Sequence, residues 1–250
     1  MSSPSLAYLD LVFCVDVTAS MTPFIVAARA HMAEVLDALR DNPDVDLRVA
    51  IVTYRDHGSG KVVEVHPFAE AAADTGLLLE ALTVGSPPEN TDSAEAVFSG
   101  LVACIDLPWR VGAYRVVVLV GDRFPDRDPT GLTVEDMVSR LDAAGIAVHA
   151  LAMIPSQAPH HDPVLEQAFE RLGNATGGAY HTANTGDAAM SVVDRISQRC
   201  LSQLDFDRRL HELLPDDGSE PDAEILAPQL GATVTDVYAG VIRLRQRHLR

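Results

Sequence analysis

Two hydrophobic rhythms alternate along this chain. Residues 9–15 (Leu-Asp-Leu-Val-Phe-Cys-Val) form a nearly continuous apolar run, the pattern of a strand buried on both faces of a parallel sheet. Behind Thr22-Pro23, which reads as a cap followed by proline in the first helical turn, Ile25, Ala28, Met32, Val35, Leu36 and Leu39 recur at helical spacing, predicting a helix to about Arg40. The alternation then repeats. Strands are expected over 46–54, 62–68, 115–120, 147–153 and near 179–181, with helices over 75–82, 93–104, 134–144, 163–172 and 188–199. Gly58-Ser59-Gly60 allows a hairpin between the second and third strands.

Strands alternating with helices imply an α/β, doubly wound (Rossmann-like), mostly parallel sheet with one antiparallel edge strand, helices on both faces and a short C-terminal extension. The division expected is a domain over 1–200 and an extension over 201–250. That extension opens with an amphipathic stretch carrying Phe206, Leu210, Leu213 and Leu214, passes an acidic loop over 216–222, and ends in a segment over 235–250 for which helix is favoured.

Charge narrows the functions. A formal net charge of −17 opposes nucleic-acid binding, which needs clustered Lys and Arg to displace counterions, and disfavours anionic membrane surfaces. No run approaches the ~20 apolar residues of a bilayer span, and no basic secretory leader opens the chain. Cys14, Cys104 and Cys200 are odd in number and in no metal-ligand spacing, which suits a reducing cytoplasm.

In an open parallel sheet, ligands gather outside the carboxyl ends of the strands. Oxygen-rich segments fall at those places: Asp16-Val17-Thr18-Ala19-Ser20, Tyr54-Arg55-Asp56-His57, Asn90-Thr91-Asp92-Ser93 and Gly121-Asp122. Asp, Thr and Ser at i, i+2 and i+4 of an extended loop turn three oxygens toward one point, which suits a hard cation such as Mg²⁺. Each has a plainer reading. Thr18 and Ser20 serve equally as caps of the first helix, Thr91 and Asp92 as caps of a helix starting near Ser93.

The combination Asp16-Val17-Thr18-Ala19-Ser20-Met21, Thr91-Asp92-Ser93-Ala94-Glu95-Ala96 and Gly121-Asp122 resembles the metal-ion-dependent adhesion site of von Willebrand factor A domains. The resemblance covers roughly residues 8–200, and the Tyr54-Arg55-Asp56-His57 stretch is similar to bacterial members associated with alpha-type kinases and intracellular multiprotein systems. It implies Asp16, Thr18, Ser20 and Asp122 as metal ligands. Thr91 or Asp92 would be the second-loop ligand, with Asp92 ranked slightly first, and Tyr54, Arg55 and Asp56 would support the site from behind. The cofactor implied is Mg²⁺, with Mn²⁺ or Ca²⁺ as substitutes. The function implied is non-enzymatic: a cytoplasmic module whose metal captures an Asp or Glu of a protein partner.

Two other readings stay open. In a Mg²⁺-dependent phosphatase or phosphoacceptor Asp16 would be the nucleophile, but such sites resemble Asp-x-Asp with a lysine on a later strand. Here Thr18 replaces the second Asp, and Lys61, the only lysine, falls in the expected hairpin. Alternatively the chain acts through its tail, where Arg243, Arg245, Arg247 and Arg250 either dock an acidic partner or complement a helix dipole. His160-His161-Asp162 reads as a solvated loop, and His149 and His181 as packed imidazoles.

Overall fold

The computed structural model describes residues 4–58, 60–69, 76, 82–84, 95–125, 128–154, 163–215 and 219–249. The expected helix over 75–82, the Thr91-Asp92 loop, His160-His161-Asp162 and Arg250 lie wholly or almost wholly outside them.

The chain opens with β1 (Tyr8–Asp16), α1 (Thr22–Arg40), β2 (Asp46–Tyr54) and β3 (Val63–Ala69). After them come α2 (Val97–Ile105), β4 (Tyr114–Gly121), α3 (Val134–Ala143), β5 (Ile146–Met153), α4 (Pro163–Ala175) and β6 (Ala179–Ala183). Three further helices close the described chain: α5 (Gly186–Leu213), α6 (Ala223–Leu230) and α7 (Val234–Gln246). The strands form one six-stranded sheet in the order β3-β2-β1-β4-β5-β6. β1 is parallel to β2 and β4, β5 is parallel to β4 and β6, and only β3 runs antiparallel, on β2. The doubly wound α/β sheet with an antiparallel edge is thus the observed fold.

Burial explains the continuous apolar runs. On β1, Leu9, Leu11, Phe13 and Val15 face the layer that holds α1 and α5, whereas Val12 and Cys14 face the layer of α2, α3 and α4. β4 divides likewise, with Val116, Val118 and Val120 on one face and Val117 and Leu119 on the other. Asp10, which interrupts the first run, is fully buried yet well satisfied. Arg48 and Arg110 both bind its carboxylate, and the backbone N–H of Arg110 donates to it at 2.8 Å.

Sequence and structure differ in three elements. α2 begins at Val97, not near Ser93. α5 runs without a break from Gly186 to Leu213, through the position where a helix end was expected, because Leu204, Asp207 and Leu210 continue its buried face. α6 was not expected: Asp222 caps it by accepting from the N–H groups of Glu224 and Ile225, and Gly231 closes it at φ 64°. The last segment is helical, as favoured, and packs with Leu6, Leu210 and Leu226 in a core of its own. Among the described residues no single helix is long and apolar enough to cross a membrane.

The arginines of α7 also differ from both readings. Arg243 and Arg247 hold the buried carboxylate of Asp207, at 2.6 and 3.2 Å, and Arg245 reaches Glu220 at 2.6 Å. Arg247 is itself buried, donating to the carbonyls of Gly112, Ser5 and Leu6. Arg243 and Arg247 thus tie α7 to α5, and Arg247 also ties it to the segments just before β1 and β4.

Candidate metal centre

The sheet reverses its winding at β1, whose neighbours are β2 on one side and β4 on the other, so the crevice beyond the ends of β1 and β4 is the switch point where such sheets bind ligands. Asp16 is the last residue of β1 and Asp122 follows the last residue of β4. Glu95 joins them from the segment ahead of α2. One oxygen of each carboxylate lies within 4.8 Å of the other two.

The backbone places each group. Val17 N–H donates to the Tyr54 carbonyl at 3.0 Å, and Ala96 N–H to the Arg55 carbonyl at 2.9 Å. An isolated bridge pairs Asp56 with Glu95, so the segment before α2 lies alongside the outgoing end of β2 and carries Glu95 to β1. Tyr54 is the floor: fully buried, its hydroxyl donates to the Val120 carbonyl at 3.1 Å and ties the end of β2 to that of β4. Gly121 has no room for a side chain there, since an added Cβ would meet that hydroxyl.

Thr18 and Ser20 follow Asp16 in the loop. Thr18 N–H donates to Asp16 Oδ1 at 2.7 Å, the two hydroxyls lie 3.1 Å apart, and the Ser20 hydroxyl bonds Asp122. A short 3₁₀ turn over Ala19–Met21 precedes α1, and neither its cap residue Thr18 nor Met21, which caps α1, makes a side-chain capping bond. The hydroxyls are therefore directed at the carboxylates and not spent on capping.

Electrostatically the cluster is unfinished. Asp16 Oδ2, Glu95 Oε2 and Asp122 Oδ1 are buried and meet no hydrogen-bond donor among the described residues. Burial raises the Asp16 pKa to about 6, and the charge of Asp122 adds to the rise. Burial, then the adjacent Asp16 charge, pushes Glu95 to about 11. Asp122 is raised by burial too, less so because Ser20 bonds it. Buried carboxylates facing one another need a proton or a cation between them. Oxygen donors from carboxylates and hydroxyls are what a hard divalent cation takes, so the residues fit one.

Of the residues singled out in the sequence, the structure brings together Asp16, Thr18, Ser20 and Asp122, with Tyr54, Arg55 and Asp56 beneath and beside them. Thr91 and Asp92 lie outside the described residues. Glu95 is the member that sequence reasoning missed. Lys61 sits on the β2–β3 hairpin, 2.7 Å from Glu64. His149 is buried and shares a 3.3 Å contact with His181.

No family model matches this chain. Over 153 residues it is 22% identical to the alpha-protein kinase vwkA of Dictyostelium discoideum, a match that takes in 55% of this chain and 24% of that protein. The chain thus spans about a quarter of that relative. The crystal structure of the pilus adhesin SpaC from Lactobacillus rhamnosus GG, in its open conformation, superposes with a TM-score of 0.57 at 16% identity, over 76% of this chain and 30% of the adhesin. The conserved hypothetical protein BatB from Bacteroides thetaiotaomicron superposes with a TM-score of 0.53 at 15% identity, over 78% of this chain and 99% of that one. The fold is von Willebrand factor A-like, with an acidic cluster able to coordinate a divalent metal.

Proposed function

We propose that this chain is a divalent-cation-dependent protein-binding module, with Mg²⁺ as the working ion and Asp16, Thr18, Ser20 and Asp122 as its holders. The observation that carries the reading is the convergence, at the sheet's switch point, of buried carboxylate oxygens that face no donor among the described residues. Bound there, the cation supplies a positive point with positions open to an oxygen ligand. Asp16 and Asp122 orient it, Thr18 and Ser20 add neutral oxygens, and Tyr54, Arg55 and Asp56 hold the loops. Thr91 or Asp92 completes the ring from the second loop.

Glu95 sets the charge balance. Three ionised carboxylates would give the occupied site a net charge of about −1 and repel an acidic partner. With the neutral Thr91 as the second-loop ligand, a proton kept between Glu95 and Asp16 leaves two negative charges against the cation's two, and the open positions then attract a carboxylate from another protein. The adhesin among the structural relatives is consistent with a binding role. Within the same reading the module works in the cytoplasm, where its three buried cysteines stay as thiols, and residues 201–250 form an extension to a 1–200 domain.

Water-proton relaxation of the Mn²⁺-loaded protein tests the reading. Bound Mn²⁺ is expected to enhance relaxation strongly through open, water-filled positions, and a short Asp-containing peptide should quench that enhancement where its Asn counterpart does not. Enhancement unaffected by either peptide would refute capture of an acidic residue.

A further inference from the structure

A second site lies at the opposite end of the sheet. Tyr114 and Gly121 stand at the two ends of β4, roughly 23 Å apart at about 3.3 Å per residue, so whatever binds beside Tyr114 is remote from the carboxylate cluster. Beside Tyr114 there is a cavity of about 360 Å³, floored by Tyr114 and Ala147, walled by Arg199 and Gln203 of α5, and closed on the far side by α7. It exists because α7 packs across the amino-terminal end of the sheet.

Its hydrogen-bonding groups are unevenly used. The carboxylates in the wall are already engaged: Asp142 accepts from Gln246 at 3.2 Å, and Asp236 accepts the N–H and hydroxyl of Thr233 at 2.9 and 2.6 Å. The Gln203 carbonyl oxygen accepts the Tyr114 hydroxyl at 2.6 Å, which leaves the amide N–H₂ of the same side chain as donor. Arg243 spends Nε and Nη2 on Asp207 and keeps Nη1. Arg199 makes no hydrogen bond or ion pair with any described residue. Around this one cavity the uncommitted groups are therefore N–H donors, from Arg199, Arg243 and Gln203, while Arg247 stays paired with Asp207 and Asp142 and Asp236 keep their charges in the wall. Ala147, Ala239 and the half-exposed Ile242 supply an apolar lining between them.

From this we propose that the cavity between the sheet and α7 binds a small organic anion, a phosphate or carboxylate head on an apolar body. Arg199 and the free N–H groups of Arg243 and Gln203 hold the head, since guanidinium groups pair with planar oxyanions through several N–H donors at once. The body lies along Ala239 and Ile242. A cavity of this volume is in the range of small-molecule sites. The ligand would bridge α5 and α7 and so brace the tail against the sheet domain.

The test uses the full chain at physiological salt and two probes, phenyl phosphate and benzoate, with phenol as the neutral analogue. Calorimetric titration should show saturable binding of at least one anion and none of phenol, with a matching rise in thermal midpoint. Arg199→Gln, at an exposed position with no partner among the described residues, should keep the fold and weaken that binding at least about tenfold, as expected for loss of a charge-assisted pair. Ala239→Leu, which fills the cavity from α7, should abolish it. The proposal is overturned if neither anion binds saturably to the wild type, or if either variant binds as the wild type does.

Discussion

Replacing Asp207 by Ala isolates the contact that ties α7 to α5. Asp207 is fully buried on α5 and is held by Arg243 through bonds of 2.6 to 3.2 Å and by Arg247 at 3.2 Å. Despite two arginines its pKa is raised, since burial outweighs the attraction. Burial also lowers the Arg247 pKa. The pair is thus strained by desolvation, and its net contribution to stability is small while both partners are present. Removing the carboxylate is another matter, because Arg247 stays buried with its charge uncompensated. Breaking such a pair costs about 3–5 kcal/mol, and for a chain of this size that is a fall in thermal midpoint of roughly 6–20 °C. Urea denaturation followed by circular dichroism reads it as a lower midpoint with an unchanged slope. A loss under about 1 kcal/mol would refute the buried network. A new, earlier transition of small slope would show that α6 and α7 unfold by themselves.

Other consequences are as direct. Glu95→Gln keeps a donor next to Asp16 and removes a carboxylate, so metal affinity should stay within about threefold of wild type by calorimetry. A loss beyond about a hundredfold would show that Glu95 binds the cation as a carboxylate. His149, whose pKa burial lowers to about 3, is neutral in the fold, whereas its unfolded value lies near 6.5. The unfolded state therefore takes up the extra proton, and stability is lost as pH falls from about 6.5 toward 3, at up to about 1.4 kcal/mol per pH unit. Comparing wild type with His149→Leu by denaturation at pH 7 and pH 4 should show their difference moving against the wild type by this slope. Gly178→Ala should destabilise by roughly 3 kcal/mol, because an added Cβ would fall on the Val148 carbonyl, whereas Gly60→Ala, with open space around it, should be within about 0.5 kcal/mol of wild type. Parallel urea titrations of the two variants check the contrast.

What the sequence made legible was whatever has a local period or a strand-end position. The apolar runs of β1 and β4, buried on both faces, announced the parallel sheet, and the topology rule that ligands gather at strand ends led to Asp16 and Asp122. Glu95 escaped because its placement depends on one long-range backbone bridge to Asp56, which leaves no trace in local spacing. Its only signal was an acid flanked by alanines just before the apolar stripe of α2. The acidic loop and the internal Pro228 hid α6, although Asp222 and Gly231 were a matched pair of helix ends. The arginines of α7 looked like dipole complements because their partner, Asp207, lies on another helix.

The cation site is tested most directly by calorimetric titration of metal-stripped protein with Mg²⁺ and with Mn²⁺, for wild type and Asp16→Ala. Saturable binding of one ion per chain to the wild type and none to the variant is the expected result. Absence of binding by the wild type, or equal binding by Asp16→Ala, would contradict it.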